Sequence, residues 1–328
     1  MLLDIKKRIR DQDFSELLKG GSISFFLRFL GLFVGYCLTL LIANLFGAKG
    51  LGDYVLAIIV LRLFVVVAKL GLDTTAIRFI ATFSNQSKWT SVFKFKQQIF
   101  LILSITSIIA SILMYSLSDS IADLIHTPVS YIRLNSFFIL PVSFFILHYQ
   151  ALRGLKRIAE FSFFYRVSQS LFSIISILII YQFSVSQEVP VYAYLVSVSI
   201  VSILSFFSFR YWLNKMSKGT QSAELEVMSY SSLFKISIPL MFAQSVQFIM
   251  AWTDKLMLGA MDTPNVVNGI TTNIEEVGVY YTAFRLSMFA AVALMAINSI
   301  ASPKFAEMFA KNDMEGFKKV VHQSTKMI

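Results

Sequence analysis

Along the chain, long apolar stretches alternate with short polar connections. Eight apolar runs lie at about 22–46, 53–77, 97–117, 129–150, 160–183, 190–212, 233–259 and 277–301. Each is near the roughly 20 residues that an α-helix needs to cross a bilayer. No strand-like alternation is visible. Backbone groups in lipid must be satisfied within their own segment, so each run predicts a helix. The pattern therefore predicts an all-α, polytopic membrane helix bundle of about eight transmembrane helices.

The connections differ in sign. Lys6, Lys7, Arg8, Arg10 and Lys19 precede the first run, and Arg78, Lys88, Lys94 and Lys96 follow the second. Arg153, Lys156 and Arg157 follow the fourth, and Arg210, Lys215 and Lys218 the sixth. The tail carries Lys304, Lys311, Lys318, Lys319 and Lys326. The alternate connections hold Lys49 as their one cation, with Asp119, Asp123, Glu188, Asp262, Glu275 and Glu276. Basic loops stay on the cytoplasmic side, which predicts a cytoplasmic N-terminus and tail. The expected layout is a cytoplasmic N-terminal segment 1–21, a six-helix lobe 22–212 and a cytoplasmic linker 213–232. Two helices of a second lobe at 233–301 and an amphipathic cytoplasmic tail 302–328 follow.

Composition agrees. Hydrophobic residues make up 56% of the 328 and charged residues 15%, against roughly 25% charged in an ordinary soluble domain. The net charge of +10 follows from the loop asymmetry, and no nucleic-acid role is expected. Cys37 is the single cysteine, and His126, His148 and His322 are far apart. They offer no metal-ligand spacing, so no metal or other cofactor is expected. The first run is too long for the core of a cleavable signal.

Landmarks recur. Gly47-Ala48 match Gly259-Ala260, Gly52-x-Tyr54 match Gly278-x-Tyr280, and Ala57 matches Ala283. Arg78-Phe79 match Lys304-Phe305, and Phe83 matches Phe309. The first and seventh spans then run in the same direction, as in a parallel repeat of a two-lobed transporter.

Some polar residues fall deep in the apolar runs. A charge at mid-bilayer costs roughly 2.5–3.5 kcal/mol on insertion scales, so it faces water, a partner or a ligand. Arg28, Arg62 and Arg285 are too deep to snorkel easily. They are candidate lining of a cationic cavity, with Lys255 beside them. Ser24, Arg28, Gly31, Gly35 and Thr39 form one small, polar stripe, unlike a lipid-facing surface. Arg62, Lys69 and Asp73 share another face. Gln244, Gln247, Ala251, Asp254 and Lys255 form a broad face of the seventh run. Asp73, Asp254, Lys69, Gln244 and Gln247 are candidates for ion coupling or structural pairing. Arg133 and Arg166 lie near membrane edges, within snorkelling reach. Seven cations against two acids predict a hydrated, positive cavity for an anionic group such as phosphate, which the Arg fork suits.

The stretches from Arg28-Phe-Leu-Gly31 through LLIANLFGAKGLGDYVLA to KLGLDTTAIRFIA carry a resemblance. So do FKISIPLMFAQ, WTDKLMLGA, VGVYYTAFRLSM and LRGLKR. They resemble the polysaccharide exporter, or O-antigen-type oligosaccharide flippase, family, a relative of the multidrug and toxin extrusion transporters. The resemblance implies a two-lobed bundle in the bacterial cytoplasmic membrane. It implies a transporter, not an enzyme, that moves undecaprenyl-pyrophosphate-linked oligosaccharide for surface polysaccharide or lipopolysaccharide assembly. Membrane lipid and the pathway's polymerase and glycosyltransferases would be partners. By that resemblance Arg28 occupies the family's basic position in the first span, and Asp254 with Gly259 its Asp-x-x-x-x-Gly pattern. The second lobe is then incomplete, and the chain is read as C-terminally truncated. A cation-coupled drug exporter and a membrane glycan polymerase are the alternatives.

Overall fold

A computed structural model describes residues 12–218, 228–261, 273–290 and 316, with side chains from Ser22 onward. Helices occupy these residues, with no strand among them. They are α1 (Gln12–Ala68), α2 (Leu72–Asn85), α3 (Trp89–Ser116), α4 (Ser118–Ile125) and α5 (Val129–Ser136). Then come α6 (Ile139–Gly154), α7 (Ile158–Phe163), a π-helical turn (Phe164–Ser168), α8 (Gln169–Tyr181), α9 (Val189–Ser217) and α10 (Tyr230–Ala260). Residues 273–290 are also helical. Five helices are long and apolar enough to cross a membrane, and α5 with α6, bent by 52°, makes a sixth candidate. The chain is a multi-pass helical membrane protein.

The chain forms two compact units, Met1–Tyr281 and Thr282–Ile328. The second is described over the helical residues 282–290 and at Gly316. Of the N-terminal segment 1–21, residues 12–21 are described, as the start of α1, and of the expected amphipathic tail 302–328 Gly316 alone is described.

Helix α1 is long enough for two crossings and is folded at one residue. Gly47 has φ 74° and ψ −177°, a region open essentially to glycine alone. Nothing lies within 4 Å of the Cβ position there, so backbone conformation alone requires the glycine. Gly31, 16 residues before the corner, packs on the backbone of Arg166. Arg62, 15 residues after it, shares a cavity with Tyr165. Two arms that bring these positions to one level form a hairpin.

The second span differs from the sequence expectation. The apolar run continues to residue 77, but α1 ends at Ala68. Leu70 (φ 48°) and Gly71 (φ 72°) turn left-handed, and α2 starts a new direction. Thr106 of α3 donates a hydrogen bond to the freed Ala68 carbonyl at 2.7 Å, which satisfies the helix end. A Cβ on Gly71 would run into the Ser237 carbonyl of α10.

The stripe Ser24–Gly31–Gly35–Thr39 turns inward. Ser24 meets Ser162 at 3.2 Å, and Gly35 and Thr39 are buried. Small side chains there let α1 approach the π turn.

The repeat also has a spatial counterpart. A Cβ on Gly52 would meet the carbonyl of Ile274, and one on Gly278 the carbonyl of Ala48. The Gly278 Cβ position is also 3.2 Å from the Gly52 nitrogen. The two glycines matched by the repeat therefore face each other at the end of the bundle that carries the Gly47 corner. Nearby, Gly259 packs against Leu56, and His126 lies 3.2 Å from the Gly259 carbonyl.

Candidate functional site

A cavity of about 210 Å³ lies within the first unit. Helix α1 contributes Arg62, the turn after it Lys69, α6 Tyr149, the π turn Tyr165, α8 Gln169, α9 Tyr194 and α10 Trp252. Arg62 and Lys69 stand 15 and 22 residues beyond Gly47. At about 1.5 Å per residue, the cavity occupies the half of the bundle away from the corner. At about 30 Å³ per water it has room for roughly seven waters, enough for a small polar head group.

Arg62 is surrounded by helices yet exposed, because its accessible surface faces the cavity. Tyr194 is the polar neighbour that bears on it most, with Tyr54 and Tyr281 also close enough to sense its charge. Tyr54 and Tyr194 pack edge to face with centroids 6.1 Å apart, and all three tyrosines are buried. Phenol oxygens accept from guanidinium without cancelling its charge. The cavity therefore keeps a cation held by neutral partners and closed over by tyrosines toward the Gly47 end.

Lys69 lines the same cavity but is neutralised. Its ammonium lies 2.8 Å from Asp73, across the Gly71 break. It also donates to Gln244 Oε1 at 3.3 Å. Gln244 Nε2 in turn donates to Asp73 Oδ1 at 3.1 Å and Thr74 at 2.7 Å. Three of the sequence candidates thus form one polar knot joining α1 and α2 to α10.

Lys255 and Asp254 form a second knot. The Lys255 ammonium lies 3.0 Å from both Asp254 oxygens, and Tyr280 donates to Asp254 at 2.7 Å. Lys255 has no exposed surface and sits beside the Trp252 and Tyr280 rings. It is packed into the bundle, while Trp252, three residues earlier, is on the cavity wall. The α10 stripe that meets the rest of the bundle is Gln244, Phe248, Trp252, Lys255 and Gly259. That is about one position round from the face drawn from the sequence, and Gln247 is exposed beside it.

Arg28 is half-buried and is not part of this cavity wall. It lies close to Arg166, whose guanidinium stands 4.8 Å from the centroid of the Tyr165 ring. Two like charges thus sit behind a tyrosine of the wall. Among the described residues neither has an ion-pair partner. Arg133, in contrast, pairs with Asp119 at 2.9 Å on the surface. Arg285 lies on the helical residues 282–290 of the second unit and is described with that unit.

The sequence reading did not single out Tyr149, Tyr165, Gln169, Tyr194 or Trp252. The π turn is part of the reason they converge. An extra residue in one turn shifts the register between α7 and α8 and sets Tyr165 and Gln169 on the same wall. Such bulges are frequent at functional sites. Gln169 is held by the hydroxyls of Ser173 and Ser197.

A positive, aromatic-walled cavity with a few fixed polar groups can hold an anionic head group and pack flat rings against its walls. No curated protein and no solved structure matches the chain. Residues 17–309 match the polysaccharide biosynthesis protein family, and the chain belongs to that family.

Proposed function

We propose that the chain carries a lipid-linked oligosaccharide across the bacterial cytoplasmic membrane, its polar head in the Arg62 cavity and its isoprenyl tail in lipid. Membership of a polysaccharide biosynthesis family supports this reading. The observation that carries it is Arg62, a cation inside a cavity, set among neutral tyrosines and without a carboxylate partner among the described residues. A pyrophosphate linker supplies the missing negative charge, and the planar guanidinium binds two of its oxygens. Tyr149, Tyr165 and Trp252 offer ring faces to the sugar next to it.

Arg28 and Arg166, behind Tyr165, extend the positive field toward the basic end of the bundle. The loop charges put that end, and the N-terminus, on the cytoplasmic side. Close glycine packing at the Gly47 end and a cavity in the other half fit a state that receives substrate from the cytoplasm. At about 210 Å³ the cavity admits the linker and its first sugar. Passage of an oligosaccharide then requires α10 to move away from α1. No acid lines the described wall, which favours an anionic cargo over the cationic drugs of a coupled exporter. The pathway's polymerase and glycosyltransferases are proposed partners.

The test is surface glycan in a strain that depends on this chain for export, with Arg62→Gln and Arg62→Lys. Arg62→Gln is expected to abolish surface glycan while protein levels hold. Arg62→Lys is expected to restore part of it. Wild-type glycan with Arg62→Gln would refute the role given to Arg62.

A further inference from the structure

On the opposite flank of the first unit, α3, α6 and α9 enclose an open recess of about 550 Å³, separate from the Arg62 cavity. Its walls are apolar, with Phe100, Phe144, Phe206 and Phe207 among them. Around it, Leu101, Ile105 and Ile108 of α3 and Ile203 and Leu204 of α9 are exposed. In a membrane protein such a surface meets acyl chains.

Two polar features mark the recess. The first is His148, which lines it although only 2% of the residue is accessible. Its Nδ1 stands 3.4 Å from the Ser205 hydroxyl, and that hydroxyl donates to the Ser202 carbonyl at 2.9 Å. With its proton used, the Ser205 oxygen accepts from Nδ1–H, which leaves Nε2 as the lone-pair nitrogen. Nε2 is buried and has no hydrogen-bond partner among the described residues. A buried acceptor in this position calls for an O–H or N–H donor.

The second feature is a pair of cations at the same depth. The Lys96 ammonium lies 5.3 Å from the centroid of Phe100 and 5.8 Å from that of Phe209. The same two rings flank His148, at 5.6 and 6.0 Å. Arg210 is close enough to Lys96 for the charges to repel. Neither forms an ion pair among the described residues. His148, Lys96 and Arg210 each lie about seven residues from the basic end of their helices, or roughly 10 Å at 1.5 Å per residue. That depth suits the glycerol and phosphate region of a leaflet.

We propose that this recess binds an anionic phospholipid with a hydroxyl-bearing head group. One acyl chain fills the phenylalanine-walled recess. The phosphate lies between Lys96 and Arg210, which offsets their repulsion, and a glycerol hydroxyl donates to His148 Nε2. The site holds a resident lipid of the inner surface of the membrane, not the transported cargo.

The test uses the full chain in phosphatidylcholine vesicles carrying either spin-labelled phosphatidylglycerol or spin-labelled phosphatidylcholine. The readout is the motionally restricted fraction of the label. Phosphatidylglycerol is expected to be preferred. Lys96→Gln or Arg210→Gln is expected to lower the preference by about fivefold each, the equivalent of about 1 kcal/mol per cation near an anionic surface. Ser202→Phe, which fills the recess, is expected to remove it. Lys94→Gln, an exposed neighbour on α3, is expected to leave it unchanged.

Equal binding of the two lipids by the unaltered chain overturns the proposal. So does a preference that survives Lys96→Gln with Arg210→Gln, or one that survives Ser202→Phe. A loss of the same size in Lys94→Gln assigns the effect to general surface charge and also overturns it. Displacement of the label by inorganic phosphate would assign the cations to a soluble anion and would likewise overturn the proposal.

Discussion

Asp73→Ala provides the sharpest measure of what holds α10 to the first two helices. Lys69 and Asp73 have side chains only 8% and 4% accessible, with 2.8 Å between ammonium and carboxylate. Removal of Asp73 leaves a mostly buried ammonium with the Gln244 oxygen at 3.3 Å as its remaining partner among the described residues. Breaking a buried pair from one side costs about 3–5 kcal/mol, because the other charge stays behind. Lys69 also lines the cavity, where water reaches it, so the loss falls near about 3 kcal/mol. Gln244 keeps its 2.7 Å bond to Thr74, so the loss of its Asp73 bond adds only about 1 kcal/mol. Removing both charges, as Lys69→Met with Asp73→Leu, leaves nothing uncompensated and should return stability to within about 1–2 kcal/mol of the unaltered chain. The assay is denaturant unfolding of the purified chain in mixed micelles, followed by tryptophan fluorescence. An Asp73→Ala loss below about 1 kcal/mol, the range of an exposed pair, would refute the reasoning. So would a double variant no more stable than the single one.

Three further outcomes are expected in the same assay. Gly71→Ala should cost more than Gly47→Ala. Both lose a backbone conformation worth about 1–3 kcal/mol, but a Cβ at residue 71 also meets the Ser237 carbonyl, whereas the space at residue 47 is open. Asp53→Asn should be neutral or stabilising, by up to about 1–3 kcal/mol, because Asp53 is 3% accessible and its Oδ1 has no hydrogen-bond partner among the described residues. Arg133→Ala should cost less than about 1 kcal/mol and less still at high salt, since both members of its pair with Asp119 are exposed.

Apolar run length found the long apolar helices and the all-α class, because the bilayer imposes a length on any helix that spans it. Among the described residues, however, five helices and one bent pair, not eight, are long and apolar enough to cross. The small stripe from Ser24 to Thr39 and the matched Gly52 and Gly278 were also legible, since close packing admits few residue types. The break after Ala68 was not. Lys69, Gly71, Asp73, Thr74 and Thr75 lower the hydropathy over residues 69–77, but a polar stretch of this kind also suits the inner end of one continuous span, so it does not mark a turn. The α10 face was drawn from its polar residues, so Phe248 and Trp252 were passed over, although they point the same way as Gln244. The cavity tyrosines were missed for a related reason. In a chain with 32 Phe and 13 Tyr, an aromatic inside a span carries little information. A phenol hydroxyl deep in a span is a better signal, because it needs a partner in lipid. The π turn has no sequence signature, and it sets two of the wall positions.

Two of the fastenings of helix α10 differ chemically. Near one end Gln244 joins Lys69, Asp73 and Thr74 through side chains. Near the other, Gly259 packs against Leu56, with His126 3.2 Å from the Gly259 carbonyl. Water can take over each bond of the first fastening, so it can part at modest cost and close again. Water can replace the His126 bond but not the Gly259–Leu56 contact, since parting there exposes apolar surface. The two fastenings therefore respond to different stimuli. The side-chain one answers to hydration and charge, and the glycine contact to whatever apolar surface can replace its packing.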